Sequence, residues 1–493
     1  MKKYAFLILT LFLIVPFSNL SAQRQMEKLN RGLVAVRTST SSVFLSWRVF
    51  GSDPDNVAFN LYRDGVKITP SPITINSNYT DATTTGTTYT VKTVLNGVET
   101  GESNSASIWS SFLNVPLNIP AAMTMPDATT CTYAANDCSV GDADGDGEYE
   151  IVLKWDPSNA KDNSQSGYTG DVFLDVIKLN GTRLCRIDLG KNIRAGAHYT
   201  QFQVGDYDGD GKAEIVCKTA PGTKDGLGNY LSKGPAATDN DATDYRNSGG
   251  YILTGPEYLT VFSAQTGEEL ATVNYNPPRG TVSAWGDTYG NRVDRFLACT
   301  AYLDGLHPSI VMCRGYYTRA VLAAWDYKNG TLTQRWVYDS NTPNGPSAAG
   351  QGNHNLSVGD VDSDGKDEII YGASAFDDNG KCMYVTGLGH GDAMHLSDLN
   401  PDRKGLEVWE VHEDGNTQSS EMHDAKTGEI LWYYPLSGAD VGRGLTADIV
   451  PATRGYECWS SVTDGFYSCT GTHLSTNVPS YNFIINCIVC TNK

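Results

Sequence analysis

Residues 140–152 read VGDADGDGEYEIV, an acidic loop that runs directly into an apolar strand. Similar stretches run from Val204 to Val216 and from Val358 to Ile370, a longer one begins at Ser397, and a degenerate fifth covers residues 448–459. Strand–turn–strand units with Gly-bearing turns lie between these loops, and no long stretch has helical periodicity. Repeated hairpins without helices predict an all-β chain that folds as a β-propeller.

The acidic loops are candidate cation sites. In the first three, oxygen donors stand at alternate positions of a Gly-bearing turn, so they converge on one point and suit a hard cation that takes about 6–8 oxygens. An apolar strand follows each loop where an EF-hand would need a bidentate Glu and a helix, which excludes an EF-hand. The loops resemble the calcium-binding repeats of integrin-type propellers, and we expect several structural calcium ions. Turns solvated without an ion are the alternative, although crowding like charges is costly. The candidate ligands are Asp142, Asp144, Asp146 and Glu150 in the first loop; Asp206, Asp208, Asp210 and Glu214 in the second; Asp360, Asp362, Asp364 and Glu368 in the third; and Asp398, Asn400, Asp402 and Glu407 in the fourth.

The charge balance restricts the class of partner. The 493 residues include 56 Asp+Glu and 37 Lys+Arg, a formal net charge of −19. This argues against nucleic acid and anionic membranes, which reward clustered Lys and Arg. No segment after the N-terminus is apolar for the length of a membrane span. We expect a monomer, and we expect buried cysteines rather than disulfides, although Cys458 and Cys469 could pair across a hairpin.

The sequence predicts four segments: a signal peptide, an N-terminal domain, a propeller and a short tail. Residues 1–22 have the charged start, apolar run and small-residue cleavage region of a signal peptide, so the protein should be secreted or periplasmic. Residues 23–112 alternate apolar and polar positions between Asp-Gly and Asn-Gly turns, which predicts a small fibronectin-like β-sandwich. Residues 113–485 form the predicted propeller, and residues 486–493 an aberrant tail.

Histidines form a second candidate site. His198, His354 and His390 stand an even number of residues before the first Asp of their loops, and Asp392 stands two beyond His390, so these side chains share a face if the segments are extended. The inner strands of a propeller line its central channel. Imidazole and carboxylate there would bind a metal of a different kind from the loops. Histidines satisfied by hydrogen bonds to turns are the alternative.

Three motifs carry a resemblance to a known family. Leu29–Ala35, Gly389–His395 and Asp440–Leu445 closely resemble the rhamnogalacturonan lyases of polysaccharide lyase family 11. The resemblance implies an eight-bladed propeller with many calcium ions and a deep cleft. It also implies that the substrate and partner is rhamnogalacturonan I, the acidic pectin backbone. The implied reaction is β-elimination at its rhamnosyl–galacturonate bond.

The same resemblance assigns site residues. The active-site calcium ligands fall on His354, His390, Asp392 and Glu413, and the arginine that holds the substrate carboxylate falls on Arg443. The catalytic base stays open among several residues near the early loops. These are His198, Tyr199 and Lys218.

The family usually continues well beyond Phe483, where this chain has a different tail, and we expect a C-terminally truncated member with an incomplete propeller. Three other functions are alternatives. A non-catalytic calcium-stabilised propeller could bind acidic glycan or a protein. A glycoside hydrolase would use paired carboxylates. A quinone-dependent dehydrogenase propeller shares the Thr-Gly-Glu hairpins, but the chain has no haem motif and no adjacent cysteine pair.

Overall fold

The computed structural model describes residues 24–413, 418–435, 438 and 440–477. The regular structure in these ranges is β apart from two short 3-10 helices, Gly234–Thr238 and Val282–Trp285, so the all-β prediction is confirmed. The described part of the chain contains no helix with the length and hydropathy of a membrane span. The predicted signal peptide, 1–22, and the predicted tail, 486–493, lie outside the described residues.

The N-terminal domain is one eight-stranded sheet that folds back on itself. Its strand β8 pairs with β6 through Ala106 and Ser107, and then with β1 through Ile108 and Trp109, so it joins two halves whose apolar faces share one core. This is the sandwich-like module expected from the alternating pattern. The strands are β1 (Val34–Ser39), β2 (Ser42–Ser46), β3 (Ala58–Arg63), β4 (Val66–Lys67), β5 (Asn78–Asp81), β6 (Thr88–Leu95), β7 (Val98–Glu102) and β8 (Ala106–Trp109).

Up to residue 477, where the described part of the chain ends, six four-stranded antiparallel sheets follow, each a simple meander in chain order. A two-stranded hairpin, β9 (Met123–Thr124) and β10 (Thr130–Cys131), packs on the first of them. The first sheet has β11 (Tyr133–Gly141), β12 (Glu150–Pro157), β13 (Phe173–Ile177) and β14 (Arg183–Asp188); the second β15 (Phe202–Gly205), β16 (Glu214–Thr219), β17 (Tyr258–Ser263) and β18 (Glu269–Asn274); the third β19 (Phe296–Ala301), β20 (Ser309–Arg314), β21 (Val321–Lys328) and β22 (Thr331–Asp339). The fourth has β23 (Ser357–Gly359), β24 (Glu368–Ile370), β25 (Ser374–Phe376) and β26 (Cys382–Val385); the fifth β27 (Gly391–Ser397), β28 (Glu407–His412), β29 (Gln418–Asp424) and β30 (Ile430–Pro435); the sixth β31 (Gly444–Ala447), β32 (Glu457–Ser460), β33 (Phe466–Ser468) and β34 (His473–Ser475).

Successive sheets lie next to one another in chain order. The first strand of each sheet contacts the first strand of the next, from β11 through β15, β19, β23 and β27 to β31. Apolar residues fill the spaces between neighbouring sheets because strand side chains alternate between the two faces. In β16, Ile215 and Cys217 pack toward the first sheet, whereas Val216 packs toward the third. Cys458 and Cys469 are buried free thiols between the fifth and sixth sheets, as expected.

The acidic loops join the first and second strands in five of the six sheets. Each loop ends in a buried glutamate that opens the second strand, and this glutamate accepts a hydrogen bond from the backbone N–H seven residues earlier. The donor–acceptor pairs are Ala143–Glu150 at 2.8 Å, Tyr207–Glu214 at 2.9 Å, Val361–Glu368 at 2.8 Å, Asn400–Glu407 at 2.9 Å and Val450–Glu457 at 3.0 Å. The fifth loop, degenerate in sequence, therefore keeps the same anchor.

The segment that precedes β1 ties the N-terminal domain to these loops. Arg24 forms an ion pair with Asp367 at 2.9 Å, and the Gln25 amide donates to the Asp206 carbonyl at 2.7 Å. The Asn30 N–H donates to the Gly147 carbonyl at 2.8 Å. The segment thus crosses three acidic loops at one edge of the sheets.

The glutamate anchor yields a stability prediction. Glu407→Ala removes the acceptor of the Asn400 N–H and of the Arg403 guanidinium. We expect the free energy of unfolding to fall by about 1–3 kcal/mol, because a buried donor that loses its acceptor costs about this much. Urea unfolding followed by tryptophan fluorescence, in the presence of a chelator, measures the change.

The matched control is Glu429→Ala, an exposed glutamate in the turn before β30 of the same sheet. It should unfold at the same urea concentration as the unchanged chain. Equal midpoints for the two variants would contradict the anchor role.

Candidate metal centre and acidic loops

The first aspartate of each of the first three loops is held by the backbone of the turn. Asp142 Oδ1 accepts the Gly145 N–H and Oδ2 accepts the Gly147 N–H, both at 2.8 Å. These glycines have φ of 80° and 84°, a left-handed conformation that side chains disfavour, which explains why the loop needs glycine there. Asp206 repeats the arrangement with Gly209 at 2.7 Å and Gly211 at 3.0 Å.

The three loops with this spacing gather carboxylates as the sequence predicted. Asp142, Asp144 and Asp146 have oxygens within 4.8 Å of one another, as do Asp206, Asp208 and Asp210, and as do Asp360, Asp362 and Glu368. Such an all-oxygen donor set fits calcium. Burial raises the pKa of Glu214 to about 9 and that of Glu368 to about 8, and Glu368 Oε1 is buried without a hydrogen-bond partner in the described part of the chain. A cation in these loops would offset that cost of burial.

The loops differ in how much positive charge the chain supplies. In the first, Lys178 Nζ lies 2.5 Å from Asp144 and 3.0 Å from Asp146. In the fourth, Arg403 binds Glu407 at 2.8 Å and also Asp424. Within the described ranges, Asp206, Asp208 and Asp210 of the second loop form no ion pair with a basic side chain. The second loop therefore has the greatest need of an external cation.

The histidine cluster forms at the opposite ends of the sheets. His390 and Asp392 lie at the start of β27, and Glu413 follows β28 directly. His390 Nε2 is 3.5 Å from Asp392 Oδ1 and 3.4 Å from Glu413 Oε2, and His354 Nε2 is 3.3 Å from the same Asp392 oxygen. The structure therefore brings together all four residues that the resemblance assigned.

A backbone carbonyl fixes the tautomer of His390. Its Nδ1–H donates to the Gly352 carbonyl at 2.6 Å, which leaves a lone pair on Nε2. Nε2 is buried, has no hydrogen-bond partner among the described residues, and faces the two carboxylates. A lone pair held next to carboxylates by a hydrogen bond at the other ring nitrogen is the arrangement of a metal-binding histidine.

Two tyrosines after β20 support the histidines. Tyr316 Oη lies 3.3 Å from His198 Nδ1 and 3.4 Å from His354 Nδ1, and Tyr317 Oη lies 3.0 Å from His354 Nε2. The Arg292 guanidinium covers the Tyr317 ring at 3.7 Å. Burial lowers the pKa of His198 to about 4 and of His354 to about 3, so both imidazoles are neutral at neutral pH. Sequence reasoning missed both tyrosines and Arg292, because none lies in a recognisable motif.

The geometry thus offers two imidazoles and two carboxylates at one centre, separate from the acidic loops. Residues 112–488 match the family model described as rhamnogalacturonan lyase family 11, C-terminal domain. Residues 24–109 match the β-sheet domain of rhamnogalacturonan I lyases. The chain belongs to rhamnogalacturonan lyase family 11.

Relatives of known name cover most of the chain. The rhamnogalacturonan endolyase YesW of Bacillus subtilis (strain 168) is 55% identical over 470 residues, which is 95% of this chain and 74% of that protein. The rhamnogalacturonan exolyase YesX of the same organism is 55% identical over 474 residues, 94% of this chain and 76% of that one. The YesW crystal structure matches with a TM-score of 0.88 over 94% of this chain and 78% of that chain. The rhamnogalacturonan lyase PL11 of Bacillus licheniformis is 56% identical with a TM-score of 0.88, over 93% and 77% of the two chains.

Arg443, assigned from the family resemblance, and the three candidates for the catalytic base lie in different surroundings. Arg443 precedes β31, is exposed, and donates to the Gly442 carbonyl. Burial alone would raise the pKa of Asp392, but the nearby His390 and the charge of Arg443 help to lower it. His198 borders the centre. Tyr199 instead contacts Arg194, and Lys218 pairs with the buried Glu257 at 3.1 Å, so both belong to other networks.

The tyrosine contacts predict the strength of cation binding at this centre. Tyr316→Phe keeps the ring but removes the hydroxyl between His198 and His354. We expect the affinity of the centre for a divalent cation to fall about tenfold, since outer partners of metal ligands typically contribute about 10–100-fold. Calorimetric titration with calcium measures it, with the loops already saturated.

Tyr338→Phe is the matched control, because Tyr338 is equally buried but bonds the Pro346 carbonyl away from the centre. Its calcium affinity at the centre should equal that of the unchanged chain. If Tyr316→Phe also left the affinity unchanged, the supporting role of the hydroxyl would be refuted.

Proposed function

We propose that this chain is a calcium-dependent lyase that cleaves the rhamnosyl–galacturonate bond of rhamnogalacturonan I by β-elimination. The observation that carries the proposal is the cluster of His354, His390, Asp392 and Glu413 beside Arg443. The names of the two 55% identical relatives, an endolyase and an exolyase that act on rhamnogalacturonan, support the substrate class.

The chemistry of elimination explains this choice of residues. The proton on C5 of a uronate is acidic only when the negative charge of the adjacent carboxylate is offset. Calcium held by the four ligands would supply that offset as a Lewis acid. Arg443 pairs with no carboxylate among the described residues, so its exposed guanidinium can bind the carboxylate of the sugar in two hydrogen bonds.

A base then has to accept the C5 proton while the C4 oxygen leaves. Of the three residues considered from sequence, His198 borders the centre, and its imidazole is neutral at neutral pH because burial lowers its pKa to about 4. His198 lies with its ring centroid 5.1 Å from that of His354. We assign the base role to His198.

Local positive charge resolves the conflict between an acidic protein and an acidic substrate. The formal net charge is −19, yet Arg292, Arg295 and Arg443 surround the centre. The acidic loops lie at the opposite ends of the sheets, where bound calcium would neutralise them. The substrate therefore meets a cationic site, while the bulk of the negative charge is elsewhere.

The remaining parts of the proposal concern the setting of the enzyme. Calcium in the acidic loops is structural and stabilises the sheets that carry these loops. The six sheets form part of a propeller that is eight-bladed in the family. The protein is exported through residues 1–22 and acts as a secreted or periplasmic monomer.

The direct test is ultraviolet absorbance of the chain incubated with rhamnogalacturonan I. Elimination creates a double bond between C4 and C5, so absorbance should rise with calcium and stop rising with chelator. New reducing ends without absorbance would identify a hydrolase instead. Binding of the polymer without any product would identify a binding module, and either result would overturn the proposal.

Arg443 provides a prediction about catalysis. Arg443→Gln should lower kcat/KM about a hundredfold, because removing one donor to developing negative charge costs about 10²–10³. Arg454→Gln is the control, since Arg454 is an exposed arginine paired with Asp402 in the acidic loop of the fifth sheet. The role of Arg443 would be refuted if both variants had the same kcat/KM.

Asp206 provides a prediction about structural calcium. Asp206→Asn should lower the free energy of unfolding by about 2–3 kcal/mol in calcium, the stabilisation expected of a ligand at about a hundred times its Kd. The difference from the unchanged chain should shrink in chelator. Asp55→Asn, an exposed aspartate of the N-terminal domain, should match the unchanged chain in both conditions. A calcium-independent difference would show that Asp206 acts only through its backbone hydrogen bonds.

A further inference from the structure

A second cluster of titratable side chains lies behind the candidate metal centre. Glu410 and His412 on β28, and Glu421 and His423 on β29, all have 0% exposure. Glu410 and Glu421 are direct cross-strand partners in the register of the two strands. Two carboxylates and two imidazoles are therefore enclosed together without contact with water, which is costly unless their charges are balanced.

Hydrogen bonds around His423 fix where its lone pair points. Tyr384 donates its single hydroxyl proton to the Ala425 carbonyl at 3.1 Å, so it accepts from His423 Nε2–H at 3.2 Å. A neutral His423 then presents a lone pair on Nδ1, which lies 2.9 Å and 3.1 Å from the two Glu421 oxygens. Burial opposes a charged imidazole, but the Glu421 carboxylate raises the pKa of His423 overall, so either a proton or a metal ion belongs between Nδ1 and Glu421.

The other two side chains, Glu410 and His412, have further atoms that could bind a metal and that have no partner in the described part of the chain. Glu410 Oε1 accepts the Asn353 amide at 3.0 Å, but Oε2 is buried with no hydrogen-bond partner among the described residues. Both ring nitrogens of His412 are likewise buried and without a partner in that part of the chain. His412 Nε2 lies 3.6 Å from Glu421 Oε1, so its free nitrogen points into the same space.

We propose that Glu410, His412, Glu421 and His423 bind one divalent transition-metal ion, of the zinc class. Two nitrogens and two carboxylate oxygens form the four-coordinate donor set that zinc prefers. Calcium does not suit this site, because it takes about 6–8 ligands, mostly oxygens, and the fully buried cluster, unlike the open centre, gives no access to the water or substrate oxygens that would complete that number. One dication balances both carboxylates with both imidazoles neutral, and it satisfies Glu410 Oε2 and one of the two His412 nitrogens.

The residues of this site contact the segments that carry the ligands of the candidate centre. His412 pairs in register with Gly391, which lies between His390 and Asp392, and the Glu410 partner Asn353 directly precedes His354. An ion here would tie β28 to β29 and fix the segments that carry three ligands of the open centre. Its effect is structural, so it is measurable without substrate.

The experiment is a cobalt(II) titration of the full chain in excess calcium, followed by visible absorption. Cobalt replaces zinc in four-coordinate sites and reports that geometry by intense visible bands. Because the open centre also contains imidazoles, the titration uses His390→Ala, in which that centre is disabled. We expect this variant to bind one equivalent of cobalt with four-coordinate spectra. No cobalt binding by this variant would overturn the proposal.

Two further variants locate the ion and guard against misfolding. His423→Gln and Glu410→Gln, each combined with His390→Ala, should lose the four-coordinate spectrum, and Glu410→Gln keeps an oxygen for the Asn353 contact. Retention of the spectrum in both would place the cobalt elsewhere and overturn the proposal.

Zinc added to His390→Ala should also release protons, because buried imidazoles and carboxylates that share protons must give them up to the metal. Zinc addition without proton release or a rise in melting temperature would contradict the site.

Discussion

Mutual repulsion between crowded carboxylates is the constraint on which the rest of this structure depends. Two like charges about 4 Å apart near a protein surface cost about 4 kcal/mol, and each loop gathers several. Lys178 supplies positive charge in the first loop and Arg403 in the fourth, whereas the second loop has no such partner among the described residues. The loops are therefore stable only when the chain or a bound ion neutralises them, and we propose calcium for that role.

The meander topology separates this structural chemistry from the candidate catalytic chemistry. Acidic loops leave the first strand and enter the second, so they share one edge of the sheets. The residues of the histidine centre lie where first strands begin and where second strands end, which is the opposite edge of the sheets. His390 at the start of β27 and Glu413 after β28 meet because these strands are antiparallel neighbours. A substrate carboxylate can thus approach imidazole and arginine without meeting the acidic loops.

Features that depend on repeats and motifs could be predicted from the sequence. The acidic loops revealed the sheets, and the resemblance identified His354, His390, Asp392 and Glu413, which the structure brings together. The anchor Glu457 was also detectable, because it follows Val450 at the spacing of seven that the other loops share. Tyr316 and Tyr317 could not be predicted, since they reach the centre only through packing of the third sheet against the fourth. The buried Glu410 cluster was hidden because its polar residues lie on strands that read as ordinary hairpins.

Anomalous X-ray scattering from crystals grown in calcium would show directly whether cations occupy the loops and the histidine centre. We expect calcium peaks among Asp206, Asp208 and Asp210, and another peak bounded by His354, His390 and Asp392. Both should vanish when crystals are soaked in chelator. Water alone at both positions in calcium-saturated crystals would contradict the claim that cations hold these carboxylates together.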